Sequence, residues 1–509
     1  MNDSMILTLI TFIPAAGAIV LMLLPRNDHI IRTVALLVSL VAFAVSIFLP
    51  VSFQGNQNGF QFSVDHPWIG QAIHYHLGVD GVSMWLVLLT TFLVPLSVLI
   101  SWKSIHDRVK EFFVLLLLLE TAMIGVFVSL DMFLFYVFWE ATLIPMALLI
   151  GMYGHERRIY AAVKFFLYTM VASVFMLAAI IYLYTQTHSF DYATIREALT
   201  GHTSYAFSPA ALQWLFLGFF IAFAVKVPLF PFHTWLPDAH VEAPTAGSVL
   251  LAAVLLKMGT YGLLRFNVGF FPKQAHDNAP WIIVLALIGI VYGALVALVQ
   301  PNLKKLIAYS SVSHLGFVVL GIFTFTQVGT DGAVYQMLNH GISTGALFML
   351  AGMIYERKHT YELSAYGGLA TPMPVYATFF LVAVLSSVGL PLLNGFVGEF
   401  LVLSGTAQST LPHNIWYTVL GTTGVIWAAA YLLWMYQRVF YGPIRHEENK
   451  RLADINGREQ ISLWPLMAMA LIMGVASPFW MKSIDPAVSQ VIQPVQQVHS
   501  AHVTAQGGH

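Results

Sequence analysis

Apolar windows of about 18 or more residues recur along the whole chain, and each window folded as a helix is long enough to cross a hydrocarbon core of about 30 Å. Of the 509 residues, 58% are hydrophobic and only 9% are charged. Soluble domains carry about 25% charged residues because their surface faces water. A transmembrane β-barrel would instead show alternating segments of about ten residues. The sequence therefore predicts an all-α integral membrane protein.

The windows predict about fourteen transmembrane helices in one polytopic membrane domain, residues 1–509. The spans start near Met5, Ile30, Gly81, Phe112, Met132, Tyr160, Pro209, Pro244, Trp281, Lys305, Ala333, Pro374, Ile415 and Leu463. Met5–Leu24 is predicted to be a retained span, since the N-terminus lacks the basic region of a secretory signal. Residues 482–509 are predicted to follow the last span as a tail, and the end of this tail, "HSAHVTAQGGH" (residues 499–509), is predicted to be solvated and disordered.

The positions of lysine and arginine predict the orientation of the chain. Of the 23 such residues, Lys226 and Lys257 fall within predicted spans, and Arg196, Arg265, Lys273 and Lys482 follow even-numbered spans. The remaining 17 are on the side reached after odd-numbered spans. Because short cytoplasmic loops carry an excess of lysine and arginine, both termini are predicted to lie on the outer side of the membrane.

Two predicted spans are interrupted by proline and glycine. "VKVPLFPFHTWLPDAH" in span seven contains Pro228 and Pro231, and "SSVGLPLLNGFVGEF" in span twelve contains Pro391 and Gly395. Broken helices at matching positions of inverted repeats mark the transport site of many transporters. We therefore predict two inverted five-helix repeats, spans 4–8 (residues 111–267) and spans 9–13 (residues 280–441). These follow spans 1–3 (residues 5–110) and precede span 14 (residues 462–481).

Ionisable side chains inside the predicted spans are the candidate functional residues. The main candidates are Glu140, Lys226, Lys257, His314 and Glu399, and the auxiliary candidates are His340, Glu120, Lys305, His233 and Asp131. Each also has a structural interpretation, because a lysine can extend to the interface and a lone histidine or glutamate can hydrogen-bond a neighbouring helix. Their recurrence on successive spans favours a proton path, since each burial separately costs several kcal/mol.

A buried lysine beside a carboxylate can act as a proton switch. Burial disfavours the charged form of lysine, and a nearby carboxylate favours it. Opening and closing a contact between Lys226 and a glutamate would therefore make the lysine hold or release a proton. The prolines after Lys226 free backbone carbonyls, which the membrane tolerates only beside protein or a water-filled cavity.

Two stretches carry a resemblance to a known family. "VKVPLFPFHTWLPDAHVEAPTAGSVLLAAVLLKMGTYGLLR" and "LKKLIAYSSVSHLGF" resemble the antiporter-like membrane subunits of proton-pumping NADH:quinone oxidoreductase, respiratory complex I. Glu399 in "GLPLLNGFVGEF", the absence of a long lateral helix and "FYVFWEATLIPMALLIGMYG" are similar to the M-type chains, the counterparts of mitochondrial subunit 4.

The resemblance implies a proton-translocating module in the translocase class. Glu140 would modulate the central Lys226, Lys257 and His314 would follow, His340 would hydrate or extend the path, and Glu399 would be its terminal group. NADH, FMN, iron–sulfur clusters and quinone would belong to partner subunits. This chain has no cysteine and no glycine-rich nucleotide fingerprint, so we expect no bound cofactor or metal.

The resemblance also implies partners and a location. The partners would be other membrane subunits of complex I, including neighbouring antiporter-like chains, together with lipid, water and protons, without nucleic acid. The location would be a bacterial cytoplasmic (inner) membrane. Three alternatives remain at this point: a subunit of a multi-subunit cation/proton antiporter without a redox partner, a membrane subunit of a hydrogenase-like complex, and a haem or quinone protein that uses His314 and His340.

Overall fold

The computed structural model describes residues 5–55, 59–201 and 207–506, with side chains to residue 498, and these residues are mostly helical. The first group of helices comprises α1 (Ile6–Leu23), α2 (Asp28–Ser46), α3 (Phe48–Ser52), α4 (Ser83–Ser101), α5 (Val109–Val128), α6 (Met132–Ala141), α7 (Leu143–Tyr153), α8 (Arg158–Thr187), α9 (Tyr192–Thr200), α10 (Pro209–Lys226) and α11 (Trp235–Glu242). The second comprises α12 (Thr245–Leu250), α13 (Leu256–Gly262), α14 (Pro272–Leu298), α15 (Leu303–Phe323), α16 (Gln327–Lys358), α17 (Pro374–Val388), α18 (Asn394–Gln408), α19 (Asn414–Phe440), α20 (Gly457–Val475) and α21 (Pro478–Gln506).

Twelve helical segments within the described residues are long and apolar enough to cross a membrane. Three of these segments combine shorter elements: α2 with α3, α6 with α7, and α12 with α13 and the π-helical turns Leu251–Leu255 and Leu263–Val268. A thirteenth span is formed if α20 and α21, bent by 71°, are counted together. The predicted twelfth span is present as two shorter helices, α17 and α18, on either side of the predicted break. The structure therefore has the predicted class and order of elements.

The two halves of the chain share a backbone feature that supports the inverted repeat. At the start of α6, the N–H of Met132 donates to Phe190 O and the N–H of Tyr192 donates to Leu130 O, both at 2.8 Å. At the start of α15, the N–H of Leu303 donates to Tyr361 O and the N–H of Leu363 donates to Pro301 O, again at 2.8 Å. Positions 301, 303, 361 and 363 follow 130, 132, 190 and 192 by the same 171 residues. Five crossings separate the two bridges, so they lie on opposite faces of the membrane.

The first break follows α10 directly. Pro228 has no N–H to bond the carbonyl of Ala224, and the N–H of Leu229 occupies that place at 2.8 Å. The indole Nε1 of Trp235, the first residue of α11, donates to Val225 O at 2.9 Å. Protein donors therefore satisfy carbonyls near the end of α10, which is the condition for irregular backbone within a membrane.

The second break lies between α17 and α18 and depends on glycine. Gly389 has φ +82°, a left-handed conformation that side chains other than glycine rarely adopt. Gly395, in the first turn of α18, faces the carbonyl of Ser386, and a Cβ at this position would overlap that oxygen. The side chains of Ser386 and Asn394 hydrogen-bond across the break at 2.6 Å. Close backbone approach therefore fixes the path of the chain before Glu399.

We expect Gly395→Ala to destabilise the chain, because its added methyl group meets a backbone oxygen that has little freedom to move. Overpacking of this kind costs about 1–3 kcal/mol. The unfolding midpoint of the purified protein in detergent should fall. Gly457→Ala is the matched control, since no described atom lies within 4 Å of the Cβ it would add. Equal midpoints for the two variants would contradict this account of the break.

Two segments have more structure than the sequence suggested. Part of the polar region 55–76 forms β1 (Gln61–Ile69), which pairs antiparallel with β2 (Ile73–Val79). The predicted tail after residue 482 forms most of α21, and because this helix continues to Gln506, the prediction of a disordered end is wrong for residues 499–506. Ile484, Val488, Val491 and Val495 are buried along one face of this helix. Their helical spacing makes α21 amphipathic, so it packs on the bundle and presents its polar face outward.

Candidate functional site

Lys226 is the last residue of α10 and is fully buried. Its Nζ lies 5.3 Å from the ring centre of Trp139 and 5.5 Å from that of Phe165. Aromatic faces attract an ammonium group at such distances. Nζ has no hydrogen-bond partner among the residues that the structure describes, and Glu140 is the acidic group that acts on it electrostatically.

Glu140 is held near this lysine by α6 and α8. Its side chain is half-buried, and its Oε1 accepts a short hydrogen bond from Ser173 Oγ on α8. Glu140 and Lys226 do not form a direct ion pair, although they lie close enough to interact. The carboxylate is therefore bonded to Ser173 while Lys226 remains a neighbouring, unpaired group. This arrangement is compatible with the switchable contact between a lysine and a glutamate that the sequence suggested.

A series of neighbouring ionisable side chains joins four helices in the second half of the site. Lys257 Nζ on α13 donates to Ala252 O at 2.5 Å and lies 2.5 Å from His340 Nδ1 on α16. The rings of His340 and His314 are 5.9 Å apart between centroids. His314 Nδ1 on α15 lies 3.0 Å from Glu399 Oε1 on α18. Lys257, His340, His314 and Glu399 are therefore neighbours in that order.

Further polar side chains orient the end of this series. Gln336 Nε2 on α16 donates to Glu399 Oε1 at 3.2 Å. The second ring nitrogen of His314, Nε2, lies 3.2 Å from Ser387 Oγ and 3.4 Å from the hydroxyl of Tyr431. Glu399 and His314 are each only 3% exposed. The carboxylate and the imidazole are thus held together in the interior by partners on three helices.

Lys226 and Lys257 belong to helices in direct contact, although the two ammonium groups are not hydrogen-bonded. A Cβ at Gly259 would lie 2.9 Å from Phe223 O on α10, and one at Gly262 would overlap the Phe223 ring. These glycines let α13 approach α10 closely. The π-helical turns on both sides of α13 widen the helix there, a geometry that is frequent at functional sites.

The structure gives the auxiliary candidates different surroundings. Asp131 caps α6 by accepting the N–H groups of Phe133 and Leu134, each at 2.9 Å, so its carboxylate stabilises a helix end. His233 is buried, with its ring 5.1 Å from that of Tyr292, outside the contact series. Lys305 is only half-buried, and the neighbouring Lys304 takes the fully buried position.

The sequence interpretation missed several side chains that the structure places at or beside the site. These are Ser173, Gln336, Ser387 and Tyr431, which contact the candidates, and Lys304 and His240, which are buried nearby. The neutral residues carry no signal in a single sequence. Arg265, assigned by sequence to an outer loop, lies in the π-helical end of the eighth span and is ion-paired with Asp80.

Glu120 on α5 is fully buried, and neither carboxylate oxygen has a hydrogen-bond partner within the described part of the chain. Its carboxylate therefore makes no hydrogen bond to the described residues of the series from Lys257 to Glu399. We expect Glu120→Gln to retain most proton pumping, because a neutral amide of the same shape replaces a group outside the series. Pumping by the assembled variant would be measured beside Glu140→Gln. A larger defect at Glu120 would reverse this ranking.

The chain is similar in sequence to known membrane proteins. The family described as "NADH:quinone oxidoreductase/Mrp antiporter, TM" matches residues 129–426. NADH-quinone oxidoreductase subunit M of Rhodobacter capsulatus is 48% identical over 503 residues, which cover 96% of each chain. NADH-ubiquinone oxidoreductase chain 4 of Marchantia polymorpha is 39% identical over 484 residues, covering 94% of this chain and 96% of the relative.

The chain also shares its fold with chains of solved structures. A chain of respiratory complex I from Thermus thermophilus with bound NADH superposes with a TM-score of 0.86 at 31% identity, covering 96% of this chain and 99% of that one. A chain of the Mrp complex from Dietzia shares the fold with a TM-score of 0.84 at 18% identity, covering 97% of this chain and all of that one. The chain therefore belongs to the family of NADH-quinone oxidoreductase subunit M, the antiporter-like membrane subunits of complex I.

Proposed function

We propose that this chain is a proton-translocating, non-redox subunit of NADH-quinone oxidoreductase, and that Glu140, Lys226, Lys257, His340, His314 and Glu399 carry its protons. The observation that supports this most directly is the series of buried contacts from Lys257 to Glu399. Burying each of these groups costs free energy, and titratable groups aligned within a membrane are typical of proton relays.

The contacts give each group a defined task. Lys257 Nζ can give a proton to His340 Nδ1, to which it is already hydrogen-bonded. The proton then passes between the facing imidazoles, with water completing the step across their 5.9 Å separation. His314 Nδ1 transfers it to Glu399 Oε1 along their hydrogen bond. Gln336 and Ser387 hold the last two groups in position.

The other half of the relay is the Glu140 and Lys226 pair. When Glu140 turns from Ser173 toward Lys226, its negative charge favours the ammonium form of the lysine. When the carboxylate returns to Ser173, the buried lysine is left without a counter-charge and releases its proton toward Lys257. The energy for this movement would come from electron transfer between NADH and quinone in partner subunits, where FMN and the iron–sulfur clusters would also reside.

We extend the proposal to the location of the chain and to its orientation in the membrane. Multi-pass helices place the chain in a membrane, which for the bacterial relatives would be the cytoplasmic membrane. The bias of lysine and arginine supports an orientation with both termini on the outer side. Neighbouring antiporter-like chains of the complex would be the direct partners, and Glu140 and Glu399, at opposite ends of the relay, would be the groups nearest to them.

Specific observations argue against two alternative functions, a cation/proton antiporter and a haem protein. The Mrp likeness at 18% identity concerns the fold alone, whereas the relatives at 39–48% identity are named as complex I subunits. For haem, both ring nitrogens of His314 lie within hydrogen-bond distance of protein groups, so neither is free for iron.

Proton uptake into sealed vesicles that contain the purified complex tests the function. We expect acidification only while NADH is oxidised by quinone. Acidification driven by a sodium gradient without NADH would favour the antiporter alternative.

A further inference from the structure

Asp331 is a buried acid to which the relay gives no role. It lies in the second turn of α16 and is 7% exposed. Gln327 Nε2, one turn earlier, donates to Asp331 Oδ1 at 3.0 Å and to Oδ2 at 3.1 Å. Within the described chain, this neutral amide is the hydrogen-bond donor to the carboxyl group. A buried carboxylate normally needs a cation or several donors to remain ionised, so one amide is weak support for a charge.

The second group beside Asp331 is another acid, Asp485 on α21. Gln327 Nε2 also donates to Asp485 O at 2.9 Å, so the same amide holds both residues. The side chain of Asp485 forms a hydrogen bond with the carboxyl group of Asp331, and the two interact as like charges when both are ionised. An ionised carboxylate is only an acceptor, so one member of such a pair must be protonated to donate. The contact between the two carboxyl groups therefore requires a shared proton.

The charged groups around the two acids do not neutralise them. Lys482, one turn before Asp485 on α21, is exposed and forms no ion pair with either acid in the described structure. On α14, which also packs against α21, His276 Nδ1 lies 3.4 Å from the carboxylate of Asp277. Two carboxylates that share a site do not both ionise readily, and the first proton to bind is held strongly. These surroundings therefore favour one bound proton on the pair.

The two acids lie where the start of α21 is fastened to the bundle. α21 follows α20 after a bend of 71° and packs on α16. Two residues before Asp485, Ser483 Oγ accepts the indole N–H of Trp85 on α4 at 2.8 Å. Ile484, between them, is buried in the apolar core. The contact with Asp331 adds an attachment of this segment to α16, so a proton bound between the acids acts on how α21 is held.

We propose that Asp331 and Asp485 bind one proton between them, and that this proton fastens the start of α21 to α16. When the proton leaves, two ionised carboxylates face each other and repel, so this part of α21 separates from the bundle. The folded pair binds a proton that the unfolded chain does not hold at neutral pH, so the attachment weakens as the pH rises. The proton is held and is not transported, so the inference goes beyond the proposed relay.

The position of the pair gives the bound proton a regulatory meaning. The loop before α16 follows an even-numbered span, which the lysine and arginine bias assigns to the outer side. Protons pumped to that side would keep the pair protonated and α21 attached, whereas an alkaline outer phase would release the start of α21. This regulatory meaning rests on the proposed function, and the bound proton itself does not.

Amide hydrogen exchange of α21 in the purified complex tests the bound proton. Exchange is followed from about pH 6 to about pH 9, a range that includes documented pKa values of buried carboxyl groups, and is corrected for its intrinsic pH dependence. We expect exchange at the start of α21 to quicken by about tenfold across this range, the effect of losing ~1.4 kcal/mol of attachment. Asp331→Asn should abolish this change, because an amide donates to Asp485 at every pH. Asp277→Asn removes an exposed acid of α14 and is the matched control.

A pH dependence in Asp331→Asn equal to that of the control would overturn the proposal, and so would exchange that does not change with pH in the unmodified complex. If Asp331→Asn does not assemble, Asp485→Asn breaks the same pair from its exposed side and decides the question. NADH-driven pumping is measured on the same samples. Asp331→Asn should pump as the unmodified complex does at neutral pH, and a loss would show that the proton is transported rather than held. Normal pumping in Lys226→Ala would refute the relay but leave the bound proton standing.

Discussion

Lys226→Ala is expected to assemble into the complex and to lose most NADH-driven proton pumping. The ammonium group is buried without a hydrogen-bond partner in the described structure, so its removal breaks no protein hydrogen bond. Alanine is a strong helix former and suits the last turn of α10. The substitution removes the ammonium group beside Glu140 that holds the proton in the proposed relay. We expect pumping to fall by about tenfold or more, or at least ~1.4 kcal/mol in the limiting step.

The measurement separates chemistry from assembly. Proton uptake per NADH oxidised is recorded in sealed vesicles, and complex content is determined on the same samples. Lys273→Ala is the matched control, because Lys273 is exposed at the start of α14 and is remote from the relay. Glu140→Gln should resemble Lys226→Ala, since an amide keeps a hydrogen bond to Ser173 but loses the charge that acts on the lysine. Unchanged pumping in assembled Lys226→Ala would remove the central group from the mechanism.

The helical framework was predictable because the membrane requires it. A helix that crosses hydrocarbon needs about 20 apolar residues, and such windows can be read without knowing what each contacts. The paired strands Gln61–Ile69 and Ile73–Val79 and the amphipathic Pro478–Gln506 were harder to predict. These segments mix polar and apolar residues, and such a mixture fits a loop, a strand or an amphipathic helix equally well.

The repeat illustrates a second limit of sequence. The two broken spans share almost no residues, so pairing them depended on spacing and on the occurrence of proline and glycine. The matching backbone bridges at the starts of α6 and α15 repeat at a constant interval although their residues differ. Backbone hydrogen bonds do not depend on side-chain identity, so this kind of symmetry persists in a structure after the sequences have diverged.

The chemical groups of the candidate site were predictable, but their contacts were not. An ionisable residue within an apolar window can be recognised from composition alone. Lys257 and His314 are predictable as candidates in this way. The direct contact between Lys257 and His340 depends on how α13 packs against α16. The auxiliary candidate Lys305 is half-buried, whereas the neighbouring Lys304 is fully buried. Successive helical residues point about 100° apart, and only packing determines which of them faces the interior.

The contact between Lys257 and His340 leads to the second large prediction. We expect His340→Gln to assemble and to lower pumping by about tenfold, the effect of adding ~1.4 kcal/mol to the limiting step. Glutamine retains an acceptor for the buried ammonium of Lys257, but it does not accept and release protons as imidazole does. Pumping per NADH oxidised is the measurement, and His106→Gln on an exposed loop is the control. Pumping at the level of this control would show that protons bypass His340.

A double variant distinguishes a single route from parallel routes. If Lys257 and His340 act in series, Lys257→Ala alone should be nearly as harmful as His340→Gln, and the two substitutions together should be little worse than either. Groups that act as one unit give such non-additive losses, whereas independent groups give losses that multiply. A mild defect in Lys257→Ala combined with a severe one in the double variant would indicate that water carries protons to His340 without Lys257. The geometry favours the series, because Lys257 Nζ already lies 2.5 Å from His340 Nδ1.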